Sequence, residues 1–137
     1  MRLVADANVL LSAVIGGRAK LILTHPEVDA VSTPTPAMDE VYKYLPVLAR
    51  KKRLQLDTLL LTLATLPVTV VDRAEYRRQI AEAGRRMRRR DPNDVDVLAL
   101  ALHLKLPVWS NDNDFEVGDI EWHTTAELLK ALNVHSG

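Results

Sequence analysis

The stretch that decides the fold is Leu3-Val4-Ala5-Asp6-Ala7-Asn8-Val9-Leu10, at the start of the chain. Its first three residues form a short apolar run, which predicts a buried β-strand that ends at Asp6. Apolar residues then recur at helical spacing as far as Val14, so we expect a helix that turns at Gly16-Gly17. A carboxylate at the end of a buried strand has little structural purpose, and we therefore interpret Asp6 as a functional residue.

Strand-like and helix-like patterns alternate along the rest of the chain. Strands are predicted at residues 3–5, 29–32, 68–71, 107–110 and, at an edge, 120–122. Helices are predicted between them: one from residue 37 that Pro46 should kink or break, others at 54–66, at 73–87 and from 92, and a last one capped by Thr125. This order predicts an α/β fold, with a mainly parallel twisted sheet of four to five strands and helices on both faces.

Length and composition limit the classes of protein that fit. A chain of 137 residues suits a single domain, 1–137, and the absence of cysteine excludes disulfides and thiolate metal sites. The N-terminus reaches Asp6 too soon for a signal peptide, and the apolar runs are shorter than a ~20-residue membrane span. We therefore expect a cytoplasmic protein that does not enter the membrane.

Four acidic residues fall at positions that a parallel sheet brings to one edge. Parallel sheets bind ligands outside the carboxyl ends of their strands, and the residues predicted there are Asp6, Glu40, Asp94 and Asp112. Converging carboxylates repel one another unless a cation lies between them. Oxygen ligands alone favour Mg²⁺ or Mn²⁺, which can activate water for attack on a phosphodiester.

Several of these acids also have structural interpretations. Asp91 is a good helix N-cap, Asp94 could complement the helix dipole, and Asp114 could cap or brace the loop before Phe115. Asp96 is expected to be a solvated helix residue. Helical periodicity places Asp94 and Asp96 on opposite faces, and it favours Asp94 as the residue near the sheet edge.

Three segments resemble the acidic blocks of the PIN-domain family. They are Val4-Ala5-Asp6-Ala7-Asn8-Val9-Leu10-Leu11-Ser12, Asp91-Pro92-Asn93-Asp94-Val95 and Pro107-Val108-Trp109-Ser110-Asn111-Asp112-Asn113-Asp114-Phe115. The resemblance covers nearly the whole chain in order, and Glu40 stands where the family has its second acid. It implies a ribonuclease, and many members are VapC-like toxins of toxin–antitoxin pairs.

The resemblance also implies roles for individual residues. Asp6, Glu40, Asp94 and Asp112 would bind the metal and be catalytic, with Asp91 and Asp114 as accessory acids. In the family Ser12 often sits near the pocket, and Asn8 braces the first loop. The resemblance also implies a homodimer and an antitoxin protein as a partner. The apolar helices between residues 45 and 66 could form the dimer interface or could equally belong to the core.

Basic residues cluster immediately before the third acidic block. Arg85, Arg86 and Arg89 belong to this cluster and could bind RNA phosphates beside the metal, or an acidic segment of an antitoxin. A solvated helix end is the alternative for any single arginine. The cluster therefore does not discriminate RNA from a protein partner.

Two other functions compete with the nuclease. A haloacid-dehalogenase-like phosphatase would also begin with an acid after its first strand, but it needs a second Asp two residues later, where Asn8 stands. A non-catalytic PIN-like module that binds RNA or protein would usually lack one of the four acids. Because all four are present, the metal-dependent ribonuclease is the favoured interpretation.

Overall fold

A five-stranded sheet forms the centre of the computed structural model, which describes residues 1–87 and 91–134. The strands in chain order are β1 (Arg2–Ala5), β2 (Ala30–Pro34), β3 (Thr69–Val71), β4 (Val108–Trp109) and β5 (Trp122–His123). Their order across the sheet is β3-β2-β1-β4-β5, and every pairing is parallel. The predicted α/β class and parallel sheet are confirmed.

Helices connect the strands. They are α1 (Ala7–Val14), α2 (Ala19–Leu23), α3 (Thr35–Lys51), α4 (Leu56–Thr65), α5 (Arg73–Tyr76), α6 (Ile80–Met87), α7 (Pro92–Leu104) and α8 (Thr125–Ala131), with 3₁₀ turns at Arg77–Gln79 and Asn113–Gly118. Within the described ranges, none of these helices combines the length and the apolar character that crossing a membrane requires.

The strand order places a ligand-binding crevice beside β1. The chain runs from β1 outward through β2 to β3, then returns to the other side of β1 to form β4 and β5. Right-handed crossovers put α1–α4 on one face and α5–α7 on the other. The order therefore reverses between β1 and β4, and in open parallel sheets ligands bind at this point, outside the carboxyl ends of the strands.

Two helix predictions differ from the structure for identifiable reasons. Helix α3 continues through Pro46 to Lys51, so the break that was one of the two predicted effects of Pro46 does not occur. The proline removes the hydrogen bond to the carbonyl of Tyr42, a residue on the exposed side, while buried Leu45 and Ala49 hold both halves against the core. The predicted helix at 73–87 is interrupted by the 3₁₀ turn at Arg77–Gln79.

The cap of α8 is also shifted by one residue. Thr124, not Thr125, is the N-cap, and it forms a reciprocal capping box with Glu127. Thr125 is buried as the first helical residue, and its hydroxyl oxygen accepts a hydrogen bond from Trp109 Nε1 at 3.0 Å. This contact anchors α8 to the end of β4.

Asp96 was expected to be solvated, and this is wrong. It is only 5% exposed, accepts a hydrogen bond from the hydroxyl of Tyr76 at 2.6 Å, and pairs with Arg73 Nε at 3.3 Å. Burial and the neighbouring Asp96 carboxylate raise the pKa of Tyr76, so the phenol stays protonated and donates. The three side chains fasten α5 to the first turns of α7.

We expect Asp96→Ala to lower the free energy of unfolding by about 2 kcal/mol, because it leaves the buried Tyr76 hydroxyl without its acceptor. Urea unfolding of the single variants and of Asp96→Ala combined with Tyr76→Phe measures this. The double variant should lose less than the sum of the two single losses, since the groups contact each other. A cost for Asp96→Ala below about 0.5 kcal/mol, the usual range for surface changes, would contradict the prediction.

Candidate functional site

A pocket of about 90 Å³ opens where β1 and β4 end. Six carboxylates line it together with two asparagine side chains and apolar groups beneath them. These polar residues are Asp6, Asn8, Glu40, Asp91, Asn93, Asp94, Asp112 and Asp114, and we call the space they line the acidic pocket. All four acids predicted at this edge of the sheet lie there, together with both predicted accessory acids.

Asp6 has a structural role and also lines the acidic pocket. Its Oδ1 accepts a hydrogen bond from the backbone N–H of Val9 at 3.0 Å and caps α1, so the expectation that this carboxylate has little structural purpose is wrong. The hydroxyl of Ser110 donates to Asp6 Oδ2 and accepts from the N–H of Asp112 at 3.0 Å. Ser110 therefore connects the end of β1 to the loop after β4.

Three aspartates form the tightest cluster in the pocket. One carboxylate oxygen from each of Asp94, Asp112 and Asp114 lies within 4.8 Å of the other two. Asp112 Oδ1 also accepts from the N–H of Asp114 at 2.9 Å, which starts the 3₁₀ turn and fixes the loop. Asp114, predicted as an accessory acid, thus lies in the same cluster as Asp94 and Asp112.

Glu40 is held toward the pocket by Asn93, a residue that sequence reasoning missed. Asn93 Nδ2 donates to Glu40 Oε2 at 3.1 Å, which connects α3 to the first turn of α7. The backbone N–H of Asn93 donates to Asp91 Oδ1 at 2.9 Å, so Asp91 is the N-cap of α7, as predicted. The signal that could have found Asn93 was its place between two predicted acids in Asp91-Pro92-Asn93-Asp94.

The pocket raises the pKa of two of its acids, Asp94 and Asp6. Burial, followed by the charges of Asp91 and Asp112, raises the pKa of Asp94 to about 7. Burial also raises the pKa of Asp6, although the hydrogen bonds from Ser110 and Val9 oppose this. The carboxylates are crowded and partly dehydrated, and they offer only oxygen ligands. A hard divalent cation fits such a set because it would relieve the repulsion.

Asp94 and Asp96 lie on opposite sides of α7. Asp94 lines the acidic pocket, whereas Asp96 lies on the side of the helix that packs against Tyr76. The two residues are two positions apart, and a helical period of about 3.6 residues turns them to opposite sides. This placement agrees with the preference for Asp94 at the sheet edge.

Other predicted residues lie elsewhere. Asn8 lines the pocket, but Ser12 does not; it lies at the end of α1, where its carbonyl accepts from the N–H of Gly17 at 2.7 Å. Arg85 and Arg86 both form ion pairs with Glu82 on α6, and neither lines the acidic pocket. Arg89 lies outside the described residues.

Comparison with known proteins agrees with this architecture. A comparison with curated protein sequences finds no match to the chain. Among solved structures, the chain is similar to VapBC2 from Rickettsia felis bound to a DNA fragment from its promoter. The identity is 12% and the TM-score 0.68, and 90% of this chain and 98% of that chain are covered.

Two further structures have the same fold. A toxin–antitoxin complex from Klebsiella pneumoniae is 19% identical with a TM-score of 0.61, covering 90% of this chain and 97% of that one. The sarcin-ricin loop cleaving toxin VapC20 from Mycobacterium tuberculosis is 18% identical with a TM-score of 0.60, covering 86% and 95%. The sequence model of the PIN-domain family matches residues 4–133 of the chain. The chain therefore belongs to the PIN-domain family.

Proposed function

We propose that the protein is a metal-dependent endoribonuclease that hydrolyses RNA phosphodiester bonds with Mg²⁺ or Mn²⁺ in the acidic pocket. The observation that supports this most strongly is the cluster of Asp94, Asp112 and Asp114, whose oxygens lie within 4.8 Å of one another. Membership of the PIN-domain family and the fold shared with a toxin that cleaves the sarcin-ricin loop support RNA as the substrate.

The proposal assigns distinct tasks to the residues of the pocket. Asp94, Asp112 and Asp114 would hold the cation, with Asp6 and Glu40 completing its ligands. A bound divalent cation would supply an activated water and stabilise charge on the leaving oxygen. Ser110 and the N–H of Val9 orient Asp6, and Asn93 orients Glu40, so the carboxylates are positioned before any ligand binds.

The partners follow from the same family and from the surface. We propose that the protein is the toxin of a toxin–antitoxin pair, because the Klebsiella neighbour was solved as a toxin–antitoxin complex. We also propose that it acts in the cytoplasm. Leu54 and Leu61 are 40% and 70% exposed and would contribute to a homodimer interface. Arg85, Arg86 and Arg89 remain proposed contacts for RNA phosphates or for an antitoxin.

The alternatives have less support. A haloacid-dehalogenase-like phosphatase has none, because the PIN-domain model spans residues 4–133. A non-catalytic PIN-like binding module would have no use for six carboxylates in a pocket that raises the pKa of Asp94 to about 7.

Incubation of the purified protein with end-labelled single-stranded RNA tests the proposed function. We expect cleavage in Mg²⁺ or Mn²⁺, none in EDTA, and restoration when the cation is added back in excess, because the carboxylates alone repel the phosphodiester. Calorimetric titration with Mn²⁺ should show binding to the same preparation. Cleavage that persists in EDTA, or the absence of both cleavage and Mn²⁺ binding, would contradict the proposal.

A further inference from the structure

A second cleft adjoins the acidic pocket along α3. It shares Glu40, Asp91 and Asn93 with that pocket, and its own lining includes Asp39, Lys43 and Tyr44. We call it the side cleft. Its volume is about 410 Å³, against about 90 Å³ for the acidic pocket. Ordinary ligand sites occupy roughly 300–1,000 Å³, so a group as large as a nucleoside fits the side cleft and not the acidic pocket.

The helix explains why the two spaces are continuous. Glu40, Lys43 and Tyr44 are spaced i, i+3 and i+4, so they lie on one face of α3. With a rise of ~1.5 Å per residue, Lys43 and Tyr44 stand about one turn from Glu40 along the helix axis. An RNA strand whose phosphodiester reaches the acidic pocket can therefore place its next nucleotide against Lys43 and Tyr44.

The chemistry of the side cleft favours an uncharged flat group. Asp39, Glu40 and Asp91 repel a phosphate inside the cleft, but their carboxylates can accept hydrogen bonds from N–H groups. Tyr44 is 42% exposed, so its ring is open to stacking. The Lys43 ammonium stands over that ring, 5.7 Å from its centre, so it can pair with a phosphate beside a stacked base.

We propose that the side cleft holds the unpaired base next to the cleaved phosphodiester, stacked on Tyr44, while Lys43 pairs with the following phosphate. This inference rests on the proposed function, because it takes the acidic pocket as the place of cleavage. Stacking requires a base that is free of its own helix, so the substrate would be single-stranded at the cut.

Binding of a fluorescent single-stranded RNA 12-mer of mixed sequence tests the subsite without relying on catalysis. Fluorescence anisotropy in Ca²⁺, with the RNA checked for integrity on a gel, gives the Kd. We expect Tyr44→Ala to raise the Kd by about 5-fold to 100-fold, and Tyr44→Trp to preserve it, because stacking depends on a ring. Lys43→Gln should weaken binding and reduce the salt slope by about one phosphate contact.

Matched controls separate a subsite from general damage. Tyr42→Ala removes a neighbouring tyrosine that is 52% exposed but does not line the side cleft, and Lys20→Gln removes a lysine on α2. Both should leave the Kd within about twofold of the wild-type value. Binding of the same sequence as a duplex should be insensitive to Tyr44→Ala.

The outcomes distinguish the subsite from the proposed function. Equal effects of Tyr44→Ala and Tyr42→Ala, or cleavage of RNA with unchanged KM and kcat in Tyr44→Ala, would overturn the subsite and leave the nuclease intact. A Tyr44-dependent Kd in a protein that cuts no RNA would keep the subsite and remove the catalytic proposal. If Tyr44→Ala lost affinity for an arginine-rich peptide while its RNA binding stayed at the wild-type value, the side cleft would be assigned to a protein partner and the subsite would be overturned.

Discussion

Asp6→Asn is expected to lower the rate of RNA cleavage in Mg²⁺ by at least about 1,000-fold. Asp6 lies at the carboxyl end of β1, next to Ser110, and we propose that it is a ligand of the cation. An amide removes one negative charge and one oxygen from the pocket. A bound metal contributes several kcal/mol to the transition state, and each ~1.4 kcal/mol is worth tenfold in rate.

This substitution separates chemistry from folding. The remaining Oδ1 of asparagine can still accept from the N–H of Val9, since asparagine is as good an N-cap as aspartate. Its Nδ2 can donate to the Ser110 hydroxyl oxygen, which keeps the two side chains bonded, although the Ser110 hydroxyl loses Asp6 as its acceptor. Thermal unfolding should therefore remain cooperative in the variant.

Asp57→Asn is the matched control, because Asp57 is exposed in the first turn of α4 and is not part of the acidic pocket. Single-turnover rates with excess enzyme report the cleavage step for each protein. Asp57→Asn should keep the wild-type rate within about twofold. Activity of Asp6→Asn within about tenfold of wild type would remove Asp6 from the proposed ligand set.

The acidic pocket could be predicted from the sequence because one topological rule places its residues. Asp6 and Asp112 follow strands, and Glu40 and Asp94 lie within the first two turns of helices, so a parallel sheet brings all four to the same edge. The rule needs only the alternation of elements and not the boundaries of any one of them. The fifth strand is predicted at 120–122 and lies at Trp122–His123, and this shift does not affect the prediction of the site.

The contacts that orient the acids could not be predicted. Ser110 and Asn93 are polar residues in ordinary positions, and only the three-dimensional contacts show that they hold Asp6 and Glu40. The burial of Asp96 depends on Tyr76, twenty residues earlier, at the end of a short helix that the 3₁₀ turn Arg77–Gln79 follows. Such contacts depend on tertiary packing, which local patterns do not encode.

We expect Mg²⁺ to reverse the order of stability of the wild-type protein and the Asp94→Asn variant. Asp94 in the metal-free protein has a pKa of about 7, against 3.8 when exposed to water. Between these values the folded chain holds a proton that the unfolded chain has released, so this group makes the protein more stable as pH falls from about 7 to about 4. Above about pH 7 both states are ionised, and the whole cost of the buried charge is present.

We therefore expect Asp94→Asn to raise the free energy of unfolding of the metal-free protein at about pH 8 by roughly 1–2 kcal/mol, a value reduced for partial exposure to solvent. At about pH 5 the difference should fall to less than half, because the folded wild-type carboxyl is then protonated while the unfolded one is still ionised, and it should vanish only below about pH 4. Urea unfolding in EDTA at both pH values measures this, with Asp57→Asn as the control.

Mg²⁺ should invert the order of the two proteins. At a cation concentration of about 100 times Kd, binding adds roughly 2.7 kcal/mol to the wild-type protein at about pH 8, because the unfolded chain does not assemble the carboxylates. Asp94→Asn lacks a proposed ligand and should gain far less, so the variant that is more stable in EDTA becomes the less stable one in Mg²⁺. A variant that is less stable than wild type in EDTA at both pH values would show instead that Asp94 serves the fold through contacts other than its charge.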